Sequence, residues 1–233
     1  MVVRGLERTP EFEVYNENHR AAFDRFRLRP DPVIRRLADD SRHPYALFKP
    51  LCDSHRTPEL LDGLGTRLPP RALWVYRQVD GRARSAVAKF GDTNLRVLRE
   101  LAEGRGRDRW EAGRLSGGSL AFIASLDWQT MDPLSAAAVF WWVRNRLYFE
   151  LGLDRRSDVL LVSYDAMVAR PEEEMRRVCR FLGTPYHPRL VAHIAARPAP
   201  GTGLQLDATI RARCDQLTDE LEATRRRAIS AAL

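Results

Sequence analysis

The run RALWVYR, Arg71–Arg77, places the strongest constraint on the fold. Its apolar residues are continuous rather than alternating, as in strands buried on both faces of a parallel sheet. A helical pattern, DGRARSAVAKF, follows almost at once and predicts a helix over about Asp80–Phe90. A strand that feeds directly into a helix is half of a βα unit. Three other segments read as strands of the same kind: FEVY (Phe12–Tyr15), YALFKP (Tyr45–Pro50) and DVLLVSY (Asp158–Tyr164).

Between them the helices have recognisable ends. Residues 1–9 read as the remainder of a helix, stopped by Thr9-Pro10. NENHRAAFDRFRLRPDP is expected to be a loop or irregular helix, and Asp31-Pro32 opens a helix to about Ala38. TPELLDGLG has Thr57 as N-cap, Pro58 at the first helical position and Gly63 or Gly65 at the end. Further helices are expected over Thr93–Glu103, from Asp132-Pro133 to about Leu151, from Pro171 to Gly183, and from about Leu206 to Ser230. GRGRDRWEAGRLSGG reads as a charged loop. Strands alternating with helices imply one α/β domain over residues 1–233, a mostly parallel sheet flanked by helices. In such sheets ligands bind beyond the carboxyl ends of the strands.

Composition excludes more than it selects. The net charge is +7 and comes almost wholly from arginine, since Lys49 and Lys89 are the only lysines. A basic balance suits an anionic ligand. The basic residues are spread among acids and no recognition motif is visible, so no nucleic-acid partner is expected. The most apolar segment, SAAAVFWWV, falls well short of the roughly 20 residues that span a bilayer, and Arg144 closes it. No membrane span is expected, and the lack of a basic-then-apolar leader points to a cytoplasmic protein. Cys52, Cys179 and Cys214 are too scattered for a disulfide framework or a zinc site, so no metal is expected. Trp141, Trp142 and Tyr148, set at helical spacing beside alanines, read as core rather than as a stacking surface.

Arg77 ends a strand, and Ser85 stands eight residues later on the next helix. A phosphate at that edge would gain a bidentate pair from the guanidinium, a hydroxyl donor and the positive helix end. The plainer alternative is an arginine in a surface salt bridge and a serine facing solvent. Two longer stretches carry a resemblance that bears on this choice. VYRQVDGRARSAVAKF is similar to the segment by which sulfotransferases hold the 3′-phosphate of 3′-phosphoadenosine-5′-phosphosulfate (PAPS). VLLVSYDAMVARPEEEMRRVCRFLGTPYHP resembles a second recurrent stretch of that family: a strand, Tyr-Asp, a proline-led helix and Phe-Leu-Gly. The likeness runs from about Met1 to Pro188. It implies a P-loop-NTPase-like three-layer fold, PAPS as co-substrate, and transfer of a sulfuryl group to a hydroxyl or amine of a small-molecule, lipid or glycan acceptor. By the same resemblance Arg77 and Ser85 carry the 3′-phosphate.

The family also holds the 5′-phosphosulfate in a glycine-containing loop between its first strand and first helix. No such loop precedes the opening MVVRGLERTPEFEVYNE, which resembles the first helix entered just after it. The expectation is a fold with its first strand missing and its amide cradle absent, hence aggregation-prone or inactive. Sulfuryl transfer needs a base and cations on the leaving phosphate. Glu17, just past the first visible strand, is the candidate base and His19 the reserve; both are alternatively plain loop residues. Lys49 resembles the lysine that ends the corresponding family strand, and a compact ammonium there suits a phosphate or sulfate oxygen. Asp53 and His55 follow in a loop within reach of an acceptor. In ARPAPGTG, Arg197 stands where the family places a basic loop for the 3′-phosphate. The rival function is a non-catalytic nucleotide- or polyanion-binding relative.

Overall fold

The computed structural model describes residues 1–195 and 203–230. In chain order the elements are α1 (Val2–Leu6), β1 (Phe12–Tyr15), β2 (Phe23–Asp24), β3 (Arg27–Leu28), α2 (Asp31–Asp39), β4 (Tyr45–Phe48), α3 (Thr57–Gly63), β5 (Ala72–Tyr76), α4 (Val79–Phe90) and α5 (Thr93–Ala102). Then follow α6 (Gly117–Ala124), α7 (Pro133–Glu150), β6 (Val159–Ser163), α8 (Tyr164–Ala169), α9 (Pro171–Leu182) and α10 (Ala208–Ser230), with short 3-10 turns between some of them. The chain forms two compact units, Met1–Trp74 with Ser157–Ala199 and Val75–Arg156 with Pro200–Leu233. The fold is mixed α/β. The four expected strands are present as two-stranded pairs, β1 with β4 and β5 with β6, and β2 pairs separately with β3.

In the first unit β1 and β4 run parallel, in register from Phe12 opposite Tyr45 to Tyr15 opposite Phe48. Stacked rings reinforce the pairing at both ends, Phe12 on Tyr45 at 5.0 Å and Tyr15 on Phe48 at 4.9 Å. Every residue of β6 is buried, as its unbroken apolar run requires. The same inference fails for β5: Val75 is 48 % exposed, so that strand is not covered on both faces. One core joins Val2 and Leu6 of α1, Phe12 of β1, Leu160 and Val162 of β6, Met167 of α8, and Met175, Val178 and Cys179 of α9.

Helix α9 shows how local sequence fixes an element. Pro171 opens it, Glu172, Glu173 and Glu174 fill the first turn, and Gly183 leaves it at φ +75°. Gly183 N donates to the Arg180 carbonyl at 3.2 Å and Thr184 N to the Cys179 carbonyl at 3.0 Å, a Schellman close that a Cβ would strain.

Two local expectations are corrected. Thr57 is the first residue of α3 rather than its cap; its hydroxyl donates to the Ser54 carbonyl, because a 3-10 turn runs straight into the helix. The stretch after β1 contains an antiparallel hairpin, β2–β3, whose turn residues Arg25 and Phe26 both take positive φ. Such a turn usually advertises itself by Asn-Gly, and Arg-Phe gives no such sign. Asp53, 1 % exposed, holds the hairpin by accepting from Arg27 Nε and from Leu28 N at 2.7 Å each. Its carboxylate is therefore committed to the fold.

Close packing also singles out Gly5. A Cβ there would stand 2.4 Å from the Leu190 carbonyl oxygen, main chain that cannot swing aside. Gly5→Ala is expected to destabilise the protein by about 2 kcal/mol, as overpacked sites do. Urea melts check this: the midpoint should fall with little change in slope.

The second unit is assembled on α7. Asp132 caps it, accepting from Leu134 N at 2.8 Å and Ser135 N at 3.0 Å, and Pro133 fills the first position. Its small residues let α4 approach closely, so Ala83 and Ala86 pack on Ala137. Helix α10 lies on the same helix, with Cys214 fully buried and its thiol 3.7 Å from the Ala138 carbonyl. Trp141, Trp142 and Tyr148 are buried core residues, as their spacing indicates. No helix among the described residues is long and apolar enough to cross a membrane.

Candidate functional site

The second unit carries Arg77 and Ser85. Arg77 follows the last residue of β5, and the buried indole of Trp141 fixes its main chain by donating to its carbonyl at 2.8 Å. The side chain then turns onto α4. A Cβ at Gly81 would meet Arg77 Nη2 at 2.9 Å and Nε at 3.0 Å. The guanidinium thus rests against a first-turn position that has no side chain. Ser85 lies one turn beyond Gly81 on the same face of the helix. It is exposed, and its hydroxyl has no hydrogen-bond partner among the described residues. Arg77 and Ser85 therefore stand along one strip of α4, near the end where backbone amides are free and the helix dipole is positive.

Arg82, one residue past Gly81, was not singled out by the sequence, although the Gly81–Arg82–Ser85 spacing puts all three on neighbouring helix positions. Its guanidinium loses its proton more readily than an ordinary arginine, first because it is partly buried and then because Arg77 repels it.

Asp80 is the other feature missed. It is 3 % exposed and accepts from Gly203 N at 2.8 Å, Leu204 N at 3.3 Å and Arg211 Nη2 at 2.8 Å. Burial pushes its carboxyl up, but the Gly203 amide, Arg211 and the Leu204 amide outweigh this and hold it below the ordinary carboxylate range. The end of the ARPAPGTG stretch is thereby pinned to the first turn of α4, where Arg84 Nη2 would come within 3.8 Å of a Cβ at Gly203. Arg197 lies outside the described residues.

The first unit carries Glu17, His19 and Lys49 at the carboxyl end of the β1–β4 pair. Lys49 N donates to the Tyr15 carbonyl at 3.1 Å, which continues the ladder one step past β4. Glu17 sits in the turn that leaves β1, half-buried. His19 closes that turn: its N donates to Asn16 at 2.8 Å, and its carbonyl accepts from Ala22 and Phe23. Its exposed ring stands edge-on to Tyr15 at 4.9 Å. The phenol of Tyr15 is pushed up to about 12 by burial and by Glu13, so it stays protonated and supplies no base. The α-amino group of Met1 is lowered by burial and then by the charge of Lys49. Chemically, this edge carries a carboxylate, an imidazole and an ammonium, and the α4 strip carries a guanidinium and a hydroxyl. No cluster of three metal-ligating side chains occurs among the described residues.

Comparison with known proteins follows from this geometry. A family profile described as Sulfotransferase domain matches residues 129–197. The match runs from the loop before α7 to just beyond the last short turn after α9. That segment, less than a third of the chain, includes the stretch Val159–Pro188 on which the resemblance partly rests, and bears the resemblance out there. Arg77 and Ser85 lie outside it. Among solved structures, the Sulfotransferase Domain from the Curacin Biosynthetic Pathway is similar with a TM-score of 0.44 at 14% identity, over 76% of this chain and 63% of that chain. The chain thus spans less than two thirds of that domain's length. A search of curated proteins gave no match.

Proposed function

From the premise that residues 129–197 are sulfotransferase-domain sequence, we propose that the protein binds PAPS and transfers its sulfuryl group to a hydroxyl or amine of a small-molecule or glycan acceptor. The carrying observation is the Arg77 guanidinium laid against Gly81, with the unengaged Ser85 hydroxyl one turn further along α4. That pairing fits a phosphate monoester, which takes a planar fork and a hydroxyl donor together. We assign it the 3′-phosphate. When bound, PAPS supplies an activated sulfuryl group whose bond to the 5′-phosphate oxygen breaks as the acceptor's bond to sulfur forms.

Glu17, His19 and Lys49 are our candidates for the remaining roles. Glu17 takes the acceptor proton, with His19 as the reserve base. Lys49 holds the charge that collects on the leaving 5′-phosphate. Glu17 is half-buried at the end of β1, whereas the His19 ring is open to solvent.

Calorimetric titration with adenosine 3′,5′-bisphosphate and with 5′-AMP tests the seat. The bisphosphate should bind at least about tenfold more tightly, the worth of a good charge-assisted contact. Equal affinities would refute the assignment. Release of labelled sulfate from PAPS in the presence of a polyhydroxyl acceptor then separates an enzyme from a non-catalytic nucleotide binder, which would bind without releasing it.

A further inference from the structure

We infer that a groove of the second unit, bounded by α6, α7 and α10, binds an extended zwitterion of the ω-amino carboxylate class. The groove encloses about 340 Å³, room for a small organic molecule. It shares no residue with the α4 strip or with the β1–β4 edge. Helix α7 supplies one wall through Trp142, Arg146 and Glu150, spaced four apart and so on one face. Helix α10 supplies the other through Arg213, Leu217 and Glu220.

In the middle of the groove the charges cancel. Arg146 Nη1 donates to Glu220 at 2.8 Å, and Gln216 Nε2 donates to the same carboxylate at 2.9 Å. One charge is left at each end. The exposed guanidinium of Arg213 lies over the rings of Phe122 and Trp142, 5.0 and 5.8 Å from their centroids. It has neither an acid nor a hydrogen-bond acceptor among the described residues. At the other end Glu150 accepts from Ser116 Oγ at 2.6 Å, Ser119 Oγ at 2.8 Å and Ser116 N at 3.3 Å. These donors are all neutral, and no cation among the described residues pairs with the carboxylate. A carboxylate offers about four acceptor positions, so one is left for a ligand's ammonium. Arg213 keeps its planar fork for a ligand's carboxylate.

Both groups are already held, one by two rings and the other by two serines, so a ligand spends little on ordering them. Trp142 and Glu150 stand eight residues apart on α7, about 12 Å along its axis at the usual helical rise. Adjacent charges, as in glycine, meet one end at a time. A longer chain reaches both and lays its methylenes along the wall between Trp142 and Leu217.

Calorimetric titration of the whole chain with 6-aminohexanoate, hexanoate, hexylamine and glycine tests this, beside Arg213→Ala and Glu150→Gln and with thermal melts of all three proteins. In wild type 6-aminohexanoate should bind at least about tenfold more tightly than each of the others. Arg213→Ala should abolish its advantage over hexylamine, and Glu150→Gln its advantage over hexanoate. Glutamine keeps an oxygen for the serine hydroxyls, and Arg213 is exposed, so both variants should fold. If Glu150→Gln nevertheless melts early, Arg213→Ala alone decides. Absence of binding by 6-aminohexanoate, affinity no better than that of hexanoate or hexylamine, or an advantage that survives Arg213→Ala would each overturn the assignment.

Discussion

Arg77→Ala should lower the affinity for adenosine 3′,5′-bisphosphate by about a hundredfold, the scale for truncating one partner of a bidentate charged contact. The melting temperature should barely move. Both halves of this expectation come from where the side chain lies. The Arg77 main chain is held by the Trp141 indole, which the substitution leaves in place, and the guanidinium tip rests against Gly81 of α4. The side chains that pack α4 on α7 there are Ala83, Ala86 and Ala137, which the substitution does not touch. Arg77→Lys should recover only part of the affinity, because an ammonium makes no planar fork. Titration of the two variants beside wild type, with melts as a control, decides the matter. A large drop in melting temperature with unchanged affinity would mean that Arg77 serves the fold and not a ligand.

The second large effect is on stability. Asp80→Ala should destabilise the protein by about 3–5 kcal/mol, the range for removing one member of a buried ion pair. The loss removes the acceptor of two amides, those of Gly203 and Leu204, and the buried one of the acceptors of Arg211, which keeps the Leu204 carbonyl and Asp215. The sign of the pH dependence follows from the lowered carboxyl. A carboxylate whose folded-state proton affinity is depressed stabilises above its ordinary unfolded value, about pH 4. That contribution is lost as the pH falls through the lower folded value. Wild type and Asp80→Ala should differ fully at pH 7 and converge on acidification. Urea melts from pH 7 to pH 3 would show it, and a gap that persists undiminished at pH 3 would exclude the carboxylate as its source.

What the sequence revealed depended on whether the decisive chemistry was local. β1 and α9 were legible because their signals lie inside the segment: an apolar tetrapeptide before a turn, and a proline, three glutamates, an apolar stripe and a glycine. The cap of α7 was legible for the same reason, Asp132-Pro133 being self-sufficient. Helix α6 was hidden because it opens with Gly117 and Gly118, which read as loop; Ser116 nevertheless caps it, accepting from Ser119 N at 3.1 Å. The β2–β3 hairpin was hidden because its strands have two residues each and its turn depends on Asp53, more than twenty residues away. For the candidate site, the strand-end arginine and the serine eight residues on could be read directly. Gly81, Arg82 and Asp80 could not, because their meaning lies in what reaches them: a side chain folding back from Arg77, and a segment arriving from residue 203.

The bare position at 81 has a genetic consequence. Every amino-acid-changing single-base substitution in a glycine codon introduces a side chain or a stop. Here even one methyl would enter the space now filled by the tip of Arg77, a flexible group that can move without disturbing the core. One mutational step can thus displace the arginine yet leave a chain that still folds. Such a lesion would escape any screen that asks only whether the protein accumulates.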